Sequence, residues 1–380
     1  MIAAPTAALP GSSTAAVADA VRAGVPLRIV GAGGWLDAGR SVRAREQLSL
    51  TSLSGITEYT PGDLTLTALA GTPLAAIDAA TRAEGQWLGL DPFGSAAGTL
   101  GATVATASSG PLAHAFGLVR DNVLGLEFVT GTGSVVRGGG RVVKNVAGFD
   151  LVRLLVGSWG TLGVVTEATL RLRARPEVDL TLALRGPALA APAALLAALA
   201  AAAIAPLALE LLSGALAERL GLGHAPALLT RLGGNEPLVR GQRVALATLG
   251  DWAPLPTLVW ERLRDCEPRD AGVVRHSARP SRVAATWAHA LAVCDRVPGA
   301  FAHASVGRGV VRCVLPTDTP ELRAATGAAL TEPFEGTRVV ERLPAALWPA
   351  REAEPVRDGL ARGVRRAYDP EGILNPGILY

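Results

Sequence analysis

Residues 141–172, RVVKNVAGFDLVRLLVGSWGTLGVVTEATLRL, decide how this chain is read, and they hold its only lysine, Lys144. The last nine, Val164 to Leu172, alternate so that Val164, Thr166, Ala168, Leu170 and Leu172 share one face, the pattern of a half-buried strand. Just before them, Ser158-Trp159-Gly160-Thr161-Leu162-Gly163 is a Gly-rich hinge, and before that lies an apolar run. Upstream, Leu124 to Thr130 and Val135 to Arg137 read as two strands joined by the turn Gly131-Thr132-Gly133-Ser134.

Further upstream the chain is densest in small residues. From Gly94 to Gly110 nearly every residue is Gly, Ala, Ser or Thr, with Leu100 and Val104 at helical spacing. Small residues admit a large flat ligand close to the backbone, and the hydroxyls of Thr99, Thr103, Thr106, Ser108 and Ser109 offer polar contacts. A surface linker has the same composition. Valine at Gly98 or Gly163 is expected to block such a ligand. A first Gly loop, Gly31-Ala32-Gly33-Gly34, follows the strand Pro26–Val30. Glycines there expose N–H groups to an anion, and a plain turn reads equally well from these residues alone. A Rossmann fingerprint fails because Leu36 stands where a small residue is required. A P-loop fails because Lys144 is followed by Asn145. Thr14–Ala23, before the first loop, and Pro73–Glu84, between the loops, have helical spacing, the latter with Thr72 as N-cap. Leu48–Leu53 and Leu64–Ala70 read as strands, giving a small α+β unit.

The formal charge is only +3, with arginines scattered rather than gathered in a stripe. A nucleic-acid surface is not expected. Three widely spaced cysteines, Cys266, Cys294 and Cys313, form no disulfide framework and no Fe–S ligand set. The five histidines are dispersed, so no metal site is expected. The N-terminus lacks a signal-peptide pattern. The Ala-rich stretch 187–212 is broken by Pro192 and Pro206, short of the ~20 continuous apolar residues a membrane span needs. A cytoplasmic chain with no direct membrane span is the expectation.

Taken in order, the small-residue stretch, Val119–Gly125, Lys144-Asn145-Val146-Ala147-Gly148-Phe149-Asp150, Gly157–Glu167 and Asp369-Pro370-Glu371-Gly372-Ile373-Leu374-Asn375-Pro376-Gly377 resemble the flavoproteins with a PCMH-type, or vanillyl-alcohol-oxidase, FAD-binding domain. Within that family the Lys144–Asp150 form is similar to FAD-binding subunits of bacterial glycolate oxidases more than to their larger paralogues. The resemblance covers most of residues 20–175 and the last dozen. It implies an α+β fold in which two α+β subdomains clamp non-covalent FAD (residues 1–175), a smaller ferredoxin-like cap (176–345), and a C-terminal segment (346–380) returning to the FAD domain. The implied cofactor residues are Gly31, Ala32, Gly33, Gly34 and Trp35 at the pyrophosphate. Gly98, Thr99, Leu100, Gly101, Thr103, Thr106 and Gly110 follow along the pyrophosphate and ribityl chain, bordered by Asp91 and Pro92. Gly160, Gly163, Val164 and Val165 lie along the adenine-ribose half, and Asn375 near the isoalloxazine. Lys144 reads either as a cation beside the flavin or as an ion-pair partner of Asp150. The implied partners are a catalytic flavoprotein paralogue and an Fe–S subunit of a glycolate oxidase complex. The family's His-rich metal motif and Glu-His-Gly motif are both missing, and His303-Ala304-Ser305 is the nearest echo. No catalytic residue is assigned. A stand-alone 2-hydroxyacid dehydrogenase and a non-catalytic assembly subunit are the rival readings.

Overall fold

A computed structural model describes residues 8–94, 97–140, 150–348 and 359–379. The chain divides into two compact units: unit 1 takes residues 1–110, 116–175 and 351–380, and unit 2 takes residues 111–115 and 176–350.

In unit 1, strands β1 (Ala8–Pro10), β2 (Leu27–Val30) and β3 (Glu46–Ser49) form a parallel sheet in the order β1-β3-β2. Parallel strands need a crossover, and helix α1 (Thr14–Arg22) supplies the first. Ser13 caps it, its hydroxyl accepting from the Ala16 N–H at 3.1 Å, and Val17, Ala18 and Val21 face the core. The sheet is extended from far along the chain. The Leu27 N–H donates to Ile373 O at 2.8 Å and the Asn375 N–H to Leu27 O at 3.0 Å, with Leu374 bridged parallel to Leu27.

The second sheet of unit 1 is antiparallel. It contains β4 (Ile56–Thr60), β5 (Thr65–Leu69), β6 (Gln86–Leu88), β7 (Val123–Val129), β8 (Val135–Gly139) and β9 (Val164–Ala174). The order is β4-β5-β9-β7-β8, and β6 pairs with the distal end of β9. Strand β9 is bonded on both edges. Its Val164, Thr166, Ala168, Leu170 and Leu172 are buried and its intervening residues from Glu167 onward are not, the alternation its sequence predicts. One apolar core joins these residues to Leu27, Leu48, Leu66, Leu100 and Phe128. Helix α2 (Leu74–Ala83) starts one residue later than its sequence suggests. Pro73 occupies the N-cap, and the Thr72 hydroxyl instead accepts from the Gly55 N–H at 2.9 Å and donates to Gly55 O at 3.1 Å. Helix α3 (Leu100–Thr106) is built from the small-residue stretch, with Thr99 as its N-cap.

Unit 2 is built on an eight-stranded sheet of β10 (Val178–Arg185), β11 (Ala208–Leu212), β12 (Ala227–Gly234), β13 (Ala253–Leu255), β14 (Gly272–Ser277), β15 (Phe301–Ser305), β16 (Val310–Leu315) and β17 (Thr337–Arg342). The order is β13-β10-β12-β11-β15-β16-β14-β17, with antiparallel pairing throughout. Each half is one β-α-β-β-α-β run, so two such units meet edge to edge at β11 and β15. The helices α4 (Ala193–Ala201), α5 (Glu236–Ala247), α6 (Val283–Cys294) and α7 (Pro320–Ala329) supply one core with Leu209, Leu211, Trp287 and Cys313. Residues alternate across a strand, so Leu212, Phe301 and Val314 face the other side, where Trp260 and Leu263 join a separate core. Strands β15 and β17 are not apparent from sequence alone. All five residues of β15 are buried, so they show no alternation.

Candidate cofactor cleft

Three turns converge on a cleft in unit 1. The first wall is the loop after β2, contributing Gly31, Gly33, Gly34 and Trp35. The second is the start and inner face of α3, contributing Thr99, Gly101, Ala102, Ala105 and Thr106. The third is the hinge and first turn of β9, contributing Trp159, Gly160, Gly163, Val164 and Val165. Asn375 and Ile378 close it from the C-terminal segment, and Arg28 is the only charged lining side chain among the described residues.

Asn375 ties two of these walls together. The Ile29 N–H donates to its Oδ1 at 2.8 Å, and its Nδ2 donates to Trp159 O at 2.8 Å. Asn375 is 5% exposed, and both ends of its amide are engaged by the protein. Asn375 (φ 45°) and Trp159 (φ 54°) both hold left-handed conformations uncommon for residues other than glycine. Strain of this kind persists where the surroundings over-determine it and gathers at ligand clamps. The Trp159 ring stands edge-on to Trp35, centroids 5.9 Å apart.

The glycines divide into two groups. A Cβ at Gly31 would lie 2.3 Å from Thr99 Oγ1, one at Gly101 2.8 Å from the Ala70 Cβ, and one at Gly163 2.6 Å from Phe128 Cδ2. Those glycines let protein approach protein, so valine at Gly163 would disrupt packing rather than block a ligand. Gly34 differs, because a Cβ there would meet nothing within 4 Å. The threonine hydroxyls are also committed locally. Thr99 Oγ1 accepts from the Ala102 N–H, Thr103 Oγ1 donates to Thr99 O at 3.1 Å, and Thr106 Oγ1 donates to Ala102 O at 2.8 Å.

The walls fit a dinucleotide: glycines on three separate segments, an open approach at Gly34, one arginine, and two indoles. Residues 10–139 match the protein family described as FAD binding domain. Over those residues the chain is similar to FAD binding domains. Over 168 residues it is 43% identical to glycolate oxidase subunit GlcE of Escherichia coli, covering 44% of this chain and 47% of that protein. It is 38% identical over 130 residues to glycolate oxidase subunit GlcD of Bacillus subtilis, covering 34% of this chain and 28% of that protein. Against D-2-hydroxyglutarate dehydrogenase of Xanthomonas citri it is 39% identical over 129 residues, covering 34% and 27%. The chain thus matches less than half the length of each of these relatives. A solved structure of alkyldihydroxyacetonephosphate synthase shares the fold with a TM-score of 0.68 and 16% identity, over 97% of this chain and 76% of that one.

In unit 1 the cleft gathers Gly31, Gly33, Gly34, Trp35, Thr99, Gly101, Thr106, Gly160, Gly163, Val164, Val165 and Asn375 from the expected set. Ala32 is exposed beside it. Leu100 and Thr103 are buried inside unit 1, and Gly98 O accepts from the Leu74 N–H. Asp91 and Pro92 are buried away from the lining, with Gly110 pressed against Asp91 so that a Cβ would clash with its carbonyl oxygen. Lys144 lies outside the described residues. Arg28, Leu36, Ala105 and Ile378 line the cleft without having been singled out for it from sequence, and Trp159 of the Gly-rich hinge lines it as well.

Unit 2 carries a second concentration of chemistry on the sheet face shared with Phe301 and Leu212. Six side chains alternate in charge. His303 Nδ1 lies 3.5 Å from Glu210 and its Nε2 3.7 Å from Glu267. Arg312 Nε donates to Glu267 Oε1 at 2.7 Å and its Nη1 to Glu341 Oε2 at 2.5 Å. Glu341 Oε1 in turn accepts from Arg275 Nε at 2.6 Å. Burial opposes the charge on His303, yet the two carboxylates outweigh it and raise its pKa. Burial likewise opposes the charge on Glu267, but Arg312 and His303 hold its carboxyl well below the usual range. Among the described residues, no group of three or more His, Cys, Asp or Glu side chains is arranged to hold a metal.

Proposed function

We propose that this chain is the FAD-binding subunit of a glycolate oxidase complex, an oxidoreductase component that holds non-covalent FAD beside a catalytic flavoprotein paralogue and an Fe–S subunit. The observation that carries this reading is the 43% identity over 168 residues to subunit GlcE, on a chain whose small-residue cleft suits a dinucleotide. Bound FAD supplies electron transfer. The chain's own residues bind and orient it: the Gly31–Trp35 loop offers N–H donors, Gly34 leaves room for approach, and Asn375 fixes the Trp159–Gly160 turn. Among the described residues no histidine or cysteine lines the cleft, which favours a non-covalent cofactor. Lys144 is proposed as a cation beside the flavin.

Unit 2 is proposed as a ferredoxin-like cap. Its Arg312 and Arg275 are already paired with Glu267 and Glu341, which favours substrate oxidation on a partner chain. The cysteines are too dispersed for an Fe–S centre, so that centre is assigned to a partner. No described helix is long and apolar enough to cross a membrane, and a cytoplasmic location with membrane contact through partners is proposed.

The test uses the purified full chain. FAD released into solution on denaturation, with flavin bleached by glycolate only when partner subunits are added, is the expected result. Anaerobic bleaching by the chain alone would overturn the division of labour, and a protein that takes up no FAD would overturn the whole reading.

A further inference from the structure

We propose that Arg28 supplies the positive charge that holds the diphosphate of the bound dinucleotide, as a side-chain determinant in a cleft otherwise walled by backbone and uncharged groups. The proposal rests on the FAD reading above and names a residue beyond the Gly loops. Arg28 lies on β2 and is the one charged lining side chain among the described residues. Its guanidinium donates to the carbonyl of Leu36, at the far end of the loop that begins at Gly31. That contact keeps the cation beside the Gly loop that lines the cleft.

The need for such a group follows from electrostatics. A diphosphate taken out of water without a counter-charge is costly. Loop N–H groups offer partial charges, whereas a guanidinium offers a full charge and a fork of five donors that suits phosphate oxygens. One donor is used on Leu36, and the side chain is half-buried, where screening by salt is weakened. Burial lowers the Arg28 pKa and the nearby Asp37 opposes that shift. The group stays cationic at any working pH, since arginine does not deprotonate in proteins.

The experiment compares FAD binding to apo-protein for the wild type, Arg28→Gln and Arg28→Lys, each at low and high salt. A charge-assisted contact of this kind is worth ~1.5–3 kcal/mol, so Arg28→Gln is expected to weaken FAD binding by about tenfold or more at low salt. It should also flatten the salt dependence. Arg28→Lys keeps the charge without the fork and is expected to retain most of that dependence. Wild-type affinity and salt dependence in Arg28→Gln would overturn the proposal while leaving the FAD reading intact. An Arg28→Lys protein as weak and as salt-insensitive as Arg28→Gln would also overturn it, and would leave Arg28 as a tie for the loop. Failure of the wild type itself to bind FAD would remove the cofactor reading and this proposal together.

Discussion

At Gly34 an added Cβ would meet nothing within 4 Å, whereas at Gly163 it would sit 2.6 Å from Phe128 Cδ2. The same substitution therefore has different consequences at the two sites. Gly34→Val is expected to fold with an unchanged melting temperature and to lose FAD affinity. Gly163→Val is expected to lose stability by about 1–3 kcal/mol, the usual cost of overpacking a core. Thermal melts of apo-protein beside FAD titrations check both, and retention of full FAD affinity by Gly34→Val would mean the ligand does not pass that loop. Asn375 gives a third case. Alanine there removes the bonds to Ile29 N and Trp159 O and leaves a non-glycine residue at φ 45°. A loss of about 2 kcal/mol is expected, with Asn375→Gly recovering the part that comes from φ. If both variants melt like the wild type, the amide is not what holds the Trp159 turn.

Elements carry the electrostatics of unit 2. Strands β11, β15, β16, β14 and β17 bring Glu210, His303, Arg312, Arg275 and Glu341 onto one face, and Glu267 completes the array from a loop. His303 has a raised pKa, so its imidazolium contributes stability below the unfolded value of about 6.5, and that contribution is lost as pH rises through the folded value. His276 works in the opposite sense. Burial, with His289 and Arg338, lowers it to about 4. The unfolded chain takes up that proton from about 6.5 downward while the fold resists, so stability falls with acid through that window. Denaturant melts across pH should therefore show unit 2 weakening on both sides of neutrality. His303→Gln should remove the alkaline limb, and an unchanged limb would place its origin elsewhere. Glu267→Ala, which takes one of two carboxylates from each of the buried Arg312 and His303, should cost about 3 kcal/mol. Sequence makes some elements plain and hides others for physical reasons. Strand β9 is legible because only one of its faces is buried, and the Gly loops because glycine is dense there, with Gly33 (φ 82°) and Gly160 (φ 69°) in conformations few other residues take. Strand β15 is not, because both faces are buried. The charged array is invisible because its members stand at positions 210, 267, 275, 303, 312 and 341 and meet only through strand register and one loop. The packing roles of Gly101 and Gly163 are hidden for the same reason, since Ala70 and Phe128 come from distant stretches.

The whole molecule has separate apolar cores in its two units. Calorimetry is expected to resolve more than one transition, and added FAD should raise the midpoint of only the one that reports unit 1, since a ligand stabilises what it binds. A single transition that moves as a whole would show the units to be coupled. The way unit 1 is assembled also bears on how the protein is made. Its parallel sheet and the mouth of its cleft take residues 373–375 from the far side of unit 2 in the chain. Synthesis runs from the N-terminus, so the loops around Gly31, Thr99 and Gly160 leave the ribosome early and must wait for Asn375. Unit 2, contiguous but for five residues, can finish while they wait. A nascent chain halted before residue 373 should therefore be unable to retain flavin, which makes cofactor loading wait until unit 2 has been synthesised.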